Sequence, residues 1–294
     1  MALTLLDGAL LLMVLIWGSN FSVVKVALRD FPEVPFNAMR LLVGTTVFLA
    51  AMRWNRADER ERGNPLTRTD WVQLVFLGVV GTFLYQLCFV GGVRRTSVAN
   101  SSLIVGTSPI VIAVLSALAG HERIKPVRWV GVFMALAGLY LVVGRGVELS
   151  GETLAGDALM IAGVLCWAVY SVASQPVLRR HSALTVIGLT FSIGAAFYVV
   201  AMIPILLDVN WRSISGQSWA LMLGSALLAL NLSYFIWYTG LKKLGGSRTS
   251  VYSYLTPVVA MIVASVWLAE PISANQIAGA GAIFAGLLIT RFVS

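Results

Sequence analysis

The chain has 294 residues, 58% of them hydrophobic and only 12% charged, with a formal net charge of +8. Soluble domains carry about 25% charged residues and disordered chains are far poorer in apolar ones, so both classes are excluded. A transmembrane helix takes about 20 apolar residues, so ten of them would use roughly 200 of the 294 positions and leave no room for a soluble domain.

Apolar runs bounded by charged residues, Pro or Gly predict ten spans, at 5–26, 36–54, 71–91, 96–119, 128–145, 154–176, 183–207, 217–240, 247–268 and 273–292. The runs are long and continuous, unlike the short alternating strands of a membrane barrel. The first reads as a retained span, because Met1–Asp7 has no basic stretch and no small-x-small cleavage pattern follows. In the second, Arg40 lies one turn inside the boundary. It can meet a substrate carboxylate or snorkel to the surface, and its nearness to the helix start favours snorkelling. Lys25 at the end of the first span has the same ambiguity. Segment 53–70 is a mixed-charge loop. Cys88 and Cys166 lie in apolar runs and suggest no disulfide framework.

Basic residues set orientation. With the N-terminus inside, the cytoplasmic face holds Arg53, Arg56, Arg60, Arg62, Arg68, Arg123, Lys125, Arg128, Arg179, Arg180, Lys242, Lys243, Arg248 and Arg291. The other face holds Lys25, Arg29, Arg94, Arg95, Arg145 and Arg212. This excess predicts a multi-pass protein of the bacterial inner membrane with both termini cytoplasmic.

The chain repeats itself. At an offset of 150, Trp17 meets Trp167, Gly44 meets Gly194 and Ala51-Met52 meets Ala201-Met202. At 148, Trp71 meets Trp219, Arg94-Arg95 meets Lys242-Lys243, Pro109 meets Pro257 and Glu122 meets Glu270. Gly131 and Gly138 meet Gly279 and Gly286 in the same register. The slip falls in the loop between spans two and three, as a duplication would show. The halves are 1–146 and 147–294. Five spans per half is odd, so the second half enters the membrane from the opposite side. The predicted fold class is an all-α polytopic membrane protein, ten transmembrane helices in two inverted five-helix repeats around a central cavity. Such repeats carry substrate sites where the halves meet, and alternating access follows from their symmetry.

Helical faces indicate where a site could form. Trp17, Asn20 and Phe21 share a face of span one; Trp167, Tyr170 and Ser171 share the matching face of span six. Tryptophans near mid-span are unusual, since membrane interfaces are their common place. They line a cavity, or they pack with the indole N–H bonded to a neighbouring carbonyl. Span three offers Tyr85, Gln86 and Phe89, and span eight Tyr234 and Trp237. Polar groups at such depth are either interhelical ties or ligand contacts. Span four offers Asn100 and Ser101, and span nine Tyr252. Pro109 and Pro257 interrupt their helices and are candidate hinges, or static kinks. The small residues Gly131, Ala135, Gly138, Ala278, Ala282 and Gly286 predict that spans five and ten pack on each other.

Trp17-Gly18-Ser19-Asn20-Phe21, Pro35…Arg40, the paired Thr107-Ser108-Pro109 and Leu255-Thr256-Pro257, and the Glu122/Glu270 and glycine pairs together resemble the drug/metabolite transporter superfamily. The match is to its ten-span EamA-type exporters and covers the whole chain. The aromatic-rich spans look most like that superfamily's exporters of aromatic amino acids and methyl viologen. The resemblance implies a ten-helix inverted repeat with a central cavity and efflux of small metabolites.

None of the 13 acidic residues lies mid-span, which argues against the proton-coupled mechanism of small multidrug pumps. No Walker-type loop and no metal-type spacing occurs, so no cofactor and no catalysis are expected. The leading expectation is an exporter of uncharged or zwitterionic metabolites, amino acids including aromatic ones. Trp17, Trp167, Tyr85, Tyr170, Tyr234, Trp237 and Tyr252 would give π contacts, which also suit flat organic cations such as methyl viologen. Asn20, Gln86, Asn100 and Ser101 would orient the polar end. The expected partners are a small-molecule substrate and the lipid bilayer, with no nucleic acid and a monomeric state. A phosphosugar or nucleotide-sugar exchanger on the same scaffold would need more intramembrane cations than Arg40, Lys25 and Arg248. A non-transporting membrane sensor is the third reading.

Overall fold

The computed structural model describes residues 5–54, 65–118, 126–144, 151–244, 249, 252–253 and 255–292. Among them the regular structure is entirely helical: α1 Leu5–Ala27, α2 Glu33–Trp54, α3 Arg68–Arg95, α4 Val98–Gly106, α5 Ser108–Leu118 and α6 Pro126–Gly144. There follow α7 Gly151–Ala173, α8 Gln175–Arg180, α9 Ala183–Leu207, α10 Gly216–Leu244, α11 Thr256–Leu268 and α12 Ala274–Phe292. Seven stretches are long and apolar enough to cross a membrane: α1, α2, α3, α4 with α5, α7 with α8, α9 and α10. Helices α6, α11 and α12 occupy the other three predicted segments. Glu122, Arg248 and the first part of the ninth segment fall largely outside the described residues.

Local chemistry sets the helix ends. Thr67 and Asp70 form a reciprocal capping box at the start of α3. The hydroxyls of Ser97, Ser182 and Ser215 accept from the backbone N–H three residues on, capping α4, α9 and α10. Pro109 and Pro257 each stand second in a new helix rather than inside a continuous one. That position tolerates proline because its missing N–H would have no intrahelical partner. The expected kinks are therefore breaks, at Thr107 and Leu255, which are equivalent positions of the repeat.

A second matched feature has no sequence signature. The middle of α3 is a π-helix at Val79–Leu84, and the middle of α10 is one at Ser225–Leu232. At an offset of 148 the two overlap. A wider turn frees carbonyls and re-aims side chains, which is why π segments gather at functional sites.

Packing follows the repeat. Helix α2 lies against its own equivalent α9, and α6 against its equivalent α12. The C-terminal half of α3 packs on α7 as α10 packs on α1, and α11 packs on α1 as α4 and α5 pack on α7. Side chains tie these pairs at their ends. The Asp157 carboxylate in α7 accepts from Thr96 Oγ1 at 2.6 Å and Asn100 Nδ2 at 3.2 Å. Its equivalent Asp7 in α1 accepts from Tyr252 Oη at 2.5 Å. Each carboxylate thus joins the first helix of one repeat to the fourth segment of the other. In the α1–α2 loop, hydrogen bonds from Ser215 and then Ser218 hold the Asp30 carboxyl below the usual carboxylate range. Lys25 does not snorkel: its ammonium donates to the carbonyls of Val93, Arg94 and Thr96 at the end of α3, at 2.9, 3.0 and 2.6 Å.

The α6–α12 pairing agrees with the small-residue pattern. A Cβ on Gly138 would stand 2.7 Å from the Gly279 carbonyl and 2.8 Å from the Ile283 nitrogen. Gly138→Leu should therefore lower stability by about 1–3 kcal/mol, the range for overpacking a close contact. Gly281→Ala, where a Cβ meets nothing within 4 Å, should leave stability unchanged or raise it. Thermal unfolding of the detergent-solubilised protein, followed by tryptophan fluorescence, checks the pair.

Candidate functional site

The two repeats meet at a cavity walled by aromatic rings. Trp17 touches Trp167 edge-on with centroids 6.1 Å apart, Trp237 at 5.6 Å and Tyr234 at 6.1 Å. Trp167 also contacts Tyr85 at 5.2 Å and Tyr234 at 5.5 Å. Phe21 and Phe89, 5.4 Å apart, complete the wall. Trp17 and Trp167 are repeat equivalents, as are Gln86 and Tyr234, whose side chains meet at 3.4 Å. Contacts between equivalent positions occur where two copies face each other, so the cavity sits at that junction.

The broken helices border it. Gly106, Ser108 and Pro109 line one side, and Ser253 and Thr256 another. Gly106 lets the breaks approach: a Cβ there would stand 2.8 Å from the Pro257 ring. The π segment of α10 supplies Ala229 and Leu230. The Ala229 carbonyl accepts from the Trp17 indole N–H at 3.0 Å, and Asn231 Nδ2 donates to the Gly44 carbonyl at 2.9 Å. Both readings of Trp17 hold together, since its ring faces the cavity and its N–H is spent on a carbonyl.

Of the residues expected from sequence, Trp17, Asn20, Phe21, Tyr85, Gln86, Phe89, Trp167, Tyr234, Trp237 and Pro109 line the cavity. Asn100, Ser101, Tyr170, Ser171, Tyr252 and Pro257 lie outside its lining. Asn100 is held between Asp157 and Gln276, which donates to its Oδ1 at 2.8 Å. The Tyr170 hydroxyl pairs with Thr190 at 3.0 Å and its ring covers Gly81 of the first π segment. Ser171 donates back to the Trp167 carbonyl, Tyr252 holds Asp7, and Ser101 is fully buried in α4. Asn20 lines the cavity while accepting from Ser225 at 2.5 Å.

Arg40 overturns the snorkelling expectation. It lies seven residues into α2, is 1% exposed, and lines the cavity. Its guanidinium carbon is 5.3 Å from the Phe36 ring centroid and Nη1 is 3.5 Å from Asn37 Oδ1. The sequence signal was the residue type itself, a basic residue inside an apolar run. Among the described residues no cluster of His, Cys, Asp or Glu is arranged to hold a metal ion.

A helical, multi-pass architecture with a cavity at the junction of two repeats is that of an integral membrane protein with room for a solute between its halves. The EamA-like transporter family model matches the chain twice, over residues 5–144 and 154–292, and the chain belongs to that family. It is 27% identical to the uncharacterized transporter YyaM of Bacillus subtilis over 92% of this chain and 88% of that protein. It is 25% identical to a protein of Streptantibioticus cattleyicolor named a probable terminal-alkyne amino-acid exporter, over 96% of this chain and 92% of that one. A solved crystal structure shares the fold, with a TM-score of 0.69 at 23% identity over 98% of this chain and 97% of its own. Family members are transporters and not enzymes.

The Trp17–Ala229 bond gives a direct test of how the π segment is held. Trp17→Phe keeps an aromatic ring and removes the donor, leaving a buried carbonyl without this partner. Stability should fall by about 1 kcal/mol, and hydrogen exchange of the amides in 225–233 should quicken relative to those of α6.

Proposed function

We propose that the chain is an exporter of small metabolites, amino acids including aromatic ones, working by alternating access. The observation that carries this is the aromatic wall of Trp17, Trp167, Tyr85, Tyr234 and Trp237 around a cavity at the junction of the repeats. Such rings offer flat apolar faces that bind planar side chains through π contacts and area burial. The named function of the Streptantibioticus relative supports the amino-acid reading.

In this reading the helices form ten spans, two inverted five-helix repeats divided near residue 146. Both termini lie in the cytoplasm of a bacterial inner membrane, and the protein works as a monomer. The breaks at Thr107 and Leu255, with Pro109 and Pro257 behind them, are the hinges. Each leaves backbone hydrogen bonds already interrupted, so rotation there costs less than bending a continuous helix. Asn20 and Gln86 orient the polar end of the solute. The finer likeness to exporters of aromatic amino acids belongs to the same proposal.

Trp17→Ala combined with Trp167→Ala should give a folded, monodisperse protein whose proteoliposomes take up L-tryptophan about tenfold more slowly or worse, from the loss of two ring contacts. Full uptake by the double variant sinks the cavity assignment. Running the assay with and without an imposed pH gradient separates facilitated movement from proton coupling.

A further inference from the structure

Arg40 is a buried charge without an anion. A guanidinium has five N–H donors and keeps its charge at any physiological pH. In α2 its Nη1 donates one long hydrogen bond to Asn37 Oδ1, at 3.5 Å, and its guanidinium carbon lies over the face of Phe36. Nε is buried and has no hydrogen-bond partner. No ion pair involves it among the described residues, where Glu33, on the same helix, is taken by Arg94 and Arg95. The titratable side chains that act on it electrostatically, Tyr234, Tyr85 and Tyr198, carry hydroxyl dipoles rather than counter-charges.

A charge in such a place is costly unless an opposite charge joins it. The equivalent position in α9 carries no charge: it is Thr190, which bonds Tyr170 and the Val186 carbonyl. Among the described residues Arg40 is also the only charged one in the cavity lining. The same lining holds other buried polar atoms without partners, namely Gln86 Oε1, Trp237 Nε1 and Thr256 Oγ1. An acceptor and further donors therefore stand in one chamber with a lone cation.

We propose that Arg40 is the carboxylate-binding residue of the cavity, so the transported solutes are small carboxylates and organic cations are excluded. The fork of N–H groups suits a carboxylate, which accepts two parallel hydrogen bonds. Gln86 Oε1 is placed to accept from an ammonium group of a zwitterion, with the aromatic wall taking the side chain. This rests on the proposed amino-acid reading and narrows it away from flat organic cations such as methyl viologen, because a cation brought to Arg40 would face like charge.

The test is ligand-induced thermal stabilisation of the purified full chain in detergent, titrated with L-tryptophan, tryptophanamide, 3-indolepropionate, methyl viologen and inorganic phosphate. The wild type should bind L-tryptophan and 3-indolepropionate about tenfold or more tightly than tryptophanamide, the yield of a charge-assisted pair. Arg40→Gln and Arg40→Met should erase that ratio, and Arg40→Lys should restore part of it. Arg40→Met also guards against misfolding, since an apolar side chain of similar length removes the buried charge.

Binding of 3-indolepropionate but not L-tryptophan, lost in Arg40→Gln, would uphold Arg40 and remove the amino-acid reading. Equal binding of L-tryptophan and its amide, unchanged in the variants, would overturn Arg40 and leave that reading intact. Phosphate binding alone replaces carboxylate by phosphate and overturns the assignment. Tighter binding of methyl viologen, or no binding of any probe, overturns it as well.

Discussion

A polar group surrounded by hydrocarbon must find its partner inside the protein, and most of this structure can be traced to that constraint. Where a helix is continuous the backbone satisfies itself. Where it is not, something has to meet the freed groups. The Ala229 carbonyl in the π segment of α10 meets the Trp17 indole. The last carbonyls of α3 meet Lys25, and the first amides of α4 meet the Glu270 carboxylate. These partners are distant in sequence and mostly belong to the other repeat. Most of the bonds that make irregular backbone tolerable thus also join the halves.

The repeat gives a symmetric frame with unlike contents. Asp7 and Asp157 occupy equivalent positions and both bridge the repeats, yet one takes a tyrosine hydroxyl and the other a threonine and an amide. The contact of Asp30 with the start of α10 has a counterpart in the Arg180–Asp70 ion pair at 2.8 Å, with Ser218 standing where Asp70 does. The frame decides which positions meet; the residues decide how firmly. In the cavity the same division leaves tryptophans on both sides of the junction but a guanidinium on one side only.

Much of this was legible beforehand, for reasons that differ by feature. The helices follow from hydropathy because each must hide its backbone alone, and their ends were marked by Ser, Thr, Pro and charge. The repeat register correctly paired the tryptophans and the prolines. The π segments were not legible, since they depend on what receives the freed carbonyls 212 positions away, as with Trp17 and Ala229. Tyr170 and Asn100 were expected at the cavity and are not in its lining. In a sequence, a polar residue that serves a ligand and one that serves Thr190 or Asp157 look alike. Arg40 was misread because depth was counted along the helix, whereas its guanidinium stops over the Phe36 ring one turn back and stays buried in the cavity lining.

The two regions are packed differently. Helices α6 and α12 approach so closely at Gly138 that a single added Cβ would meet the backbone of the partner helix. Around the cavity the walls are broken helices and π turns, whose hydrogen bonds are already incomplete, with Gly106 giving Pro257 clearance. Packed interiors shift between discrete arrangements rather than deforming continuously. A junction whose contacts join equivalent positions, Trp17 with Trp167 and Gln86 with Tyr234, offers the two repeats the same surface from either side. The scarcity of charge then gives Arg40 its weight, because in a cavity with one cation any bound anion alters the electrostatics of the whole junction.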